Sequence, residues 1–129
     1  MKEKLDILAF GAHPDDIELA CSGTILKHLK NGIKIGIIDL TRGELGTRGT
    51  VETRNQETIK STKILGVQLR ENMDFKDGFF ENNEKNKIEL IKKIREYRPD
   101  IVLTNAPTDR HPDHGRSSEL TIDACFLSG

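Results

Sequence analysis

Four short apolar runs alternate with four longer amphipathic stretches, and this alternation constrains the chain more than any other feature. The runs are Leu5-Asp6-Ile7-Leu8-Ala9-Phe10, Ile33 to Leu40, a weaker one around Val67-Gln68-Leu69, and Ile101-Val102-Leu103-Thr104. Each is short, rich in β-branched or large apolar residues and bounded by Gly or Pro, which is the pattern of strands. The stretches between them read as helices from about Asp16 to Asn31, Val51 to Leu65, Asn83 to Tyr97 and Asp113 towards Phe126. Gly32 and Gly66 follow the first two where a helix C-terminus favours positive φ. Leu19, Gly23, Leu26 and Lys30 share one face of the first helix, and Ile88, Ile91 and Ile94 recur every three positions in the third. Strand–helix alternation predicts an α/β fold, a Rossmann-like three-layer α/β/α sandwich around a mainly parallel sheet with right-handed crossovers. A strand order of 3-2-1-4 would put the first and fourth strands side by side.

With 129 residues the chain is read as one domain, 1–129. It stops at Ser128-Gly129 with no strand after the fourth helix. Doubly wound sheets usually have more than four strands, so a chain truncated at its C-terminus is expected.

Charge and cysteine usage narrow the function. Twenty basic and 21 acidic residues give a formal net charge of −1, which leaves no excess to attract nucleic-acid phosphates. No apolar run reaches the ~18 residues of a membrane span, and no signal-peptide pattern opens the chain. Cys21 and Cys125 are too few and too far apart for a disulfide scaffold, so reduced thiols in a cytoplasmic protein are expected. His28, beside Lys27 and Lys30, reads as a surface residue, and Phe79-Phe80 as a loop staple.

Two polar clusters break the pattern. Gly11-Ala12-His13-Pro14-Asp15-Asp16 follows the first strand, and Thr108-Asp109-Arg110-His111-Pro112-Asp113-His114 follows the fourth. Open α/β sheets bind ligands at strand carboxyl ends, at the switch point of the strand order. Imidazole with carboxylate suits Zn²⁺ or a similar divalent ion, and the same donors accept Fe²⁺ or Co²⁺. His13 and Asp16 can converge across the Pro14 turn, with a third ligand from the second cluster. Asp15 points away from Asp16 and is free to act as a base on a metal-bound water. A helix start and a bound cation would both favour its ionised form. An Asp pair before a helix is commonly an N-cap, but two His/Asp clusters at two strand ends are poorly explained by capping alone.

Ala12-His13-Pro14-Asp15-Asp16 together with His111-Pro112-Asp113-His114 resembles the LmbE-like, or PIG-L, family of zinc-dependent de-N-acetylases. Asp39 to Thr50 and Glu52-Thr53-Arg54-Asn55-Gln56-Glu57 are similar to the branch that deacetylates N-acetylglucosaminyl-L-malate in bacillithiol biosynthesis. The resemblance covers the whole chain but only the N-terminal part of a family member. It implies zinc ligands at His13, Asp16 and His114, a general base at Asp15, and an oxyanion-stabilising His111 held by Asp113. It implies sugar-hydroxyl binding by Arg54 and, on a looser alignment, by Asp77. Arg110, beside the metal motif, is a candidate for an anionic substituent such as malate. The glycine-rich stretch Arg42–Thr50 reads as a substrate-facing loop. Small-molecule N-acetylglucosaminides are the implied partners, and trimers or hexamers the implied assembly. Competing readings are a deacetylase for another N-acetylglucosamine glycan or antibiotic precursor, an inactive fragment, and a nucleotide-binding module. The last lacks Gly-x-Gly-x-x-Gly after the first strand, where two carboxylates would repel a pyrophosphate.

Overall fold

The computed structural model describes residues 2–129. The elements run β1 (Ile7–Gly11), α1 (Asp16–Lys30), β2 (Ile35–Thr41), α2 (Val51–Leu65), β3 (Leu69–Phe75), α3 (Glu84–Tyr97), β4 (Ile101–Leu103) and α4 (Pro112–Ser128). All pairings are parallel and the order is β3-β2-β1-β4, as the alternation predicts.

β1 and β2 are buried along their whole length because both faces of the sheet are covered. Period-2 alternation divides their side chains between two layers. Leu8, Phe10, Ile38 and Leu40 pack on one face with Leu90, Ile94 and Tyr97 of α3 and with Leu120 and Ala124 of α4. Ile7, Ala9, Ile35 and Ile37 pack on the other with Ile17 and Ile25 of α1 and Leu65 of α2. Two helices therefore lie on each side of the sheet, and β1 and β4 are neighbours.

Three local expectations are corrected. The third strand lies at Leu69–Phe75, beyond the Val67-Gln68-Leu69 run. It is an edge strand whose charges find partners across it: Arg70 with Asp39, and Glu71 with Lys93 and Tyr97. Pairing, and not apolarity, carries that strand, so hydropathy shows it poorly. In α3 the buried seam is Leu90, Ile94 and Tyr97, while Ile88 is exposed. In α1 the inward residues are Ile17 and Ile25, and Leu19 and Leu26 face outward. α1 is kinked at Cys21, whose φ of −148° and ψ of 25° interrupt the helix. Gly66 ends α2 in a left-handed conformation, and Thr50 caps its start by accepting from the Thr53 N–H.

Candidate active site

The turn after β1 is built to bring Asp16 close to the sheet. A Cβ on Gly11 would lie 3.3 Å from Asp16 Cβ and 3.2 Å from Ile17, so glycine permits the approach of the α1 start. The His13 N–H donates to Asp16 Oδ2 at 3.0 Å. Asn105, just past β4, ties the two clusters together: it accepts from the Ala12 N–H at 3.0 Å and donates to Asp16 Oδ2 at 3.1 Å.

One ligand atom each from His13, Asp16 and His114 falls within 4.8 Å of the others, and a second group, His13, His111 and Asp113, satisfies the same distance. Hydrogen bonds decide between them. His13 Nε2 faces Asp113 Oδ2 at 2.8 Å and Asp77 Oδ1 at 3.0 Å, so it must be the N–H. His114 Nδ1 faces Asp109 Oδ2 at 3.1 Å and is an N–H for the same reason. The remaining nitrogens, His13 Nδ1 and His114 Nε2, lie 3.5 and 3.3 Å from Asp16 Oδ2. Each histidine is thus oriented by an outer carboxylate with its other nitrogen directed at the shared carboxylate, the arrangement that metal-binding imidazoles use. Asp113, by contrast, is saturated by the Gly78 N–H, by Arg116 and by His13. His111 Nδ1 accepts the Asp113 backbone N–H at 3.1 Å. The donor set His13, Asp16 and His114 fits a divalent metal; the second set is already engaged.

Without a metal, charge and protons hold the site together. Burial opposes a charge on His13, but hydrogen bonds to Asp16 and Asp113 outweigh it and raise its pKa to about 9. Burial also opposes ionised Asp16, yet its contacts with His13 bring it down to about 2. Burial works against ionised Asp113 too, and Arg116, His13 and the Gly78 N–H pull it below the ordinary carboxylate range. Asp15 behaves differently. Burial and then the charge of Asp16 push it up, against the pull of Arg54. In the metal-free fold burial, and after it the neighbouring Asp16 charge, outweigh the helix start.

A cavity of about 360 Å³ is lined by His13, Asp15, Asp16, Leu19, Gly43, Leu45, Gly46, Arg54, Asp77, Gly78, His111 and His114. A larger one, about 540 Å³, lies beneath α2 and contains none of the histidines. Arg54 reaches the smaller cavity from α2, donating to the Pro14 carbonyl at 3.2 Å and lying 3.6 Å from Asp15 Oδ1. Gly43 has a φ of 63°, and a Cβ there would come within 2.8 Å of the Arg54 guanidinium. Asp77 is buried, with Oδ1 against His13 and Oδ2 accepting from the Leu45 N–H at 2.9 Å. It thus bridges the glycine-rich loop to His13.

Two sequence expectations change here. The Asp113 carboxylate does not hold His111; it holds His13. The reason is helix register: His111 is the N-cap of α4, so Asp113 falls inside the first turn and turns inward. Arg110 is exposed and outside the cavity lining. Sequence reasoning did not single out Asn105, Asp109 or Arg116 as partners of the clusters. Asp109 belongs to the Thr108–His114 cluster, while Asn105 and Arg116 carry no signal beyond standing near it.

The PIG-L family model, described as GlcNAc-PI de-N-acetylase, matches residues 8–125. The chain belongs to the PIG-L family. Diacetylchitobiose deacetylase of Thermococcus kodakarensis is 34% identical over 95% of this chain and 50% of its own length. A probable N-acetyl-α-D-glucosaminyl L-malate deacetylase 2 of Bacillus anthracis is 28% identical over 96% of this chain and 61% of its own. Among solved structures, a conserved protein of Thermus thermophilus superimposes with a TM-score of 0.91 and 41% identity, covering 95% of this chain and 56% of that one. This PIG-L chain therefore spans about half to three-fifths of the length of these relatives. Among the described residues no helix is long and apolar enough to cross a membrane.

Proposed function

We propose that the protein hydrolyses the N-acetyl group of an N-acetylglucosaminide with the help of one divalent metal. The observation that carries this reading is the convergence of His13, Asp16 and His114 in one cavity beside Asp15, a carboxylate outside the donor set. A metal held by these three residues, Zn²⁺ or Fe²⁺, would supply the positive charge that polarises the amide carbonyl and acidifies a water.

The residues of the chain do the rest. Asp15 takes a proton from the attacking water and returns it to the departing nitrogen, so acetate and a free amine leave. His111 Nδ1 accepts from the α4 backbone, which makes Nε2 the N–H. Through that N–H it donates to the carbonyl oxygen as negative charge builds there. Arg54 holds sugar hydroxyls at the cavity wall. Asp113 and Asp77 orient His13, and Asp109 orients His114.

Within this class, Asp39–Thr50 and Glu52–Glu57 favour N-acetylglucosaminyl-L-malate, and the Bacillus anthracis relative supports that choice. Diacetylchitobiose is the second candidate, on the 34% identity to the Thermococcus kodakarensis protein. A cytoplasmic trimer or hexamer completes the reading. The test is release of acetate from both substrates and from N-acetylglucosamine by metal-loaded protein. Activity on none of them, with metal bound, rejects the reading; a malate preference in kcat/KM supports the first candidate. Loss of metal on His114→Ala is expected, whereas loss on His111→Ala with His114→Ala unaffected would overturn the donor set.

A further inference from the structure

Asp15 and Asp16 stand at the start of a helix whose first turn is tied to the strand ends by Asp16, which accepts from the His13 N–H and from Asn105. The kink at Cys21 separates that turn from the rest of α1. Ile17 packs inward, but Leu19 is 81% exposed. Asp15, at the N-cap, makes no side-chain capping bond, which leaves its carboxylate in the cavity.

Glu18, in the same turn, ties it to a second set of partners. Arg70 of β3 is almost wholly buried and spends its guanidinium on two carboxylates. It donates to Asp39 of β2 through Nε at 2.8 Å and Nη2 at 3.0 Å. It donates to Glu18 through Nη1 at 3.1 Å and Nη2 at 3.4 Å. Ser61 of α2 adds a bond to Glu18 at 2.8 Å. Asp39 pairs in register with Gly11, the residue on which Asp16 closely packs. The network thus joins the first turn of α1 to two strands and to α2.

We propose that Arg70 is a positioning residue: through Glu18 and Asp39 it fixes the first turn of α1 and so sets where Asp15 and Asp16 stand. A planar fork bridging two carboxylates specifies an angle as well as a distance, which Lys cannot do. Buried ion pairs add little net stability against apolar replacements, so geometry is the more natural return for burying these charges. The inference rests on the roles proposed for Asp15 and Asp16, but the clamp can be measured without turnover.

The test uses Arg70→Lys and Glu18→Gln, which retain size and polarity. In metal-free protein, amide hydrogen exchange should speed up about tenfold or more across residues 17–20 and stay near wild type across residues 24–30. Competition with a chelator should show metal affinity weakened about tenfold, within the range for groups that orient metal ligands. In the metal-loaded enzyme kcat should fall with KM nearly unchanged. The double variant should do little more damage than either single one, because both break the same link. Uniform acceleration of exchange over the whole chain, or unchanged exchange at residues 17–20, would overturn the proposal. Wild-type protein that binds metal without deacetylating would reject the assigned reaction and leave the clamp to be judged on exchange and affinity.

Discussion

The tripeptide His-Pro-Asp occurs twice, and the two copies are used in opposite ways. In His13-Pro14-Asp15 the histidine is buried and the aspartate is half-exposed in the cavity. In His111-Pro112-Asp113 the histidine is exposed and the aspartate has no accessible surface. Register against the following helix explains the inversion. α1 begins at Asp16 with Asp15 as N-cap, so His13 lies back over the sheet. α4 begins at Pro112 with His111 as N-cap, so Asp113 sits in the first turn. One aspartate makes no capping bond and stays in the cavity, and the other is consumed holding the first copy's histidine. The same three residue types therefore yield a carboxylate left in the cavity, the proposed base, in one place and a support in the other.

The largest expected effect breaks this comparison at the half that holds the proposed base. Asp15→Asn should lower kcat by about 10²–10⁴-fold, the usual worth of a general acid–base group. Metal content and the urea midpoint should stay near wild type. Metal loss with retained turnover on resupply would make Asp15 a ligand or a support. The supporting half should answer differently. Asp113→Ala leaves His13 and Arg116 without their shared partner and should cost about 3 kcal/mol in urea unfolding. A change within ~0.5 kcal/mol, the range of ordinary surface substitutions, would contradict its buried role.

Metal removal sharpens the comparison through pH. The pKa of His13 is about 9 in the metal-free fold against an ordinary 6.5. A raised histidine binds more protons folded than unfolded, so its contribution is fully present below about pH 6.5. It is lost as pH rises towards 9. Chelator-treated protein should lose that stability across this window, and His13→Asn should remove the dependence. Metal must displace the same proton, so apparent metal affinity should rise about tenfold per pH unit between 7 and 9. Isothermal titration at three pH values checks this, and a flat affinity would place the ion elsewhere. The smallest effect is at the rim. Arg54→Ala should raise KM about tenfold with kcat within about twofold, provided its contact is equal in ground and transition states. Because Arg54 also pulls Asp15 down, the acid limb of the kcat profile should move to higher pH.

Much of this was legible in the residues. Apolar period and glycine position determined the strand–helix alternation, the parallel sheet and the C-terminus of α2, because backbone sterics and burial act locally. The two clusters and their placement at strand ends were equally visible, since His and Asp in that density serve few structural needs. Helix register at each cluster was not. Whether a residue after a strand is the N-cap or lies in the first turn depends on where the helix packs, so the resemblance does not show that the Asp113 carboxylate meets His13 and only its backbone N–H meets His111. The direction of the Asp15 shift is hidden for a related reason: it is set by burial and by the distance to Asp16 and Arg54, which only the packed turn determines. The extent of β3 beyond Leu69 and its Arg70 bridge were hidden most completely, because a charged edge strand looks like a loop until Asp39 and Glu18, distant in sequence, are brought beside it.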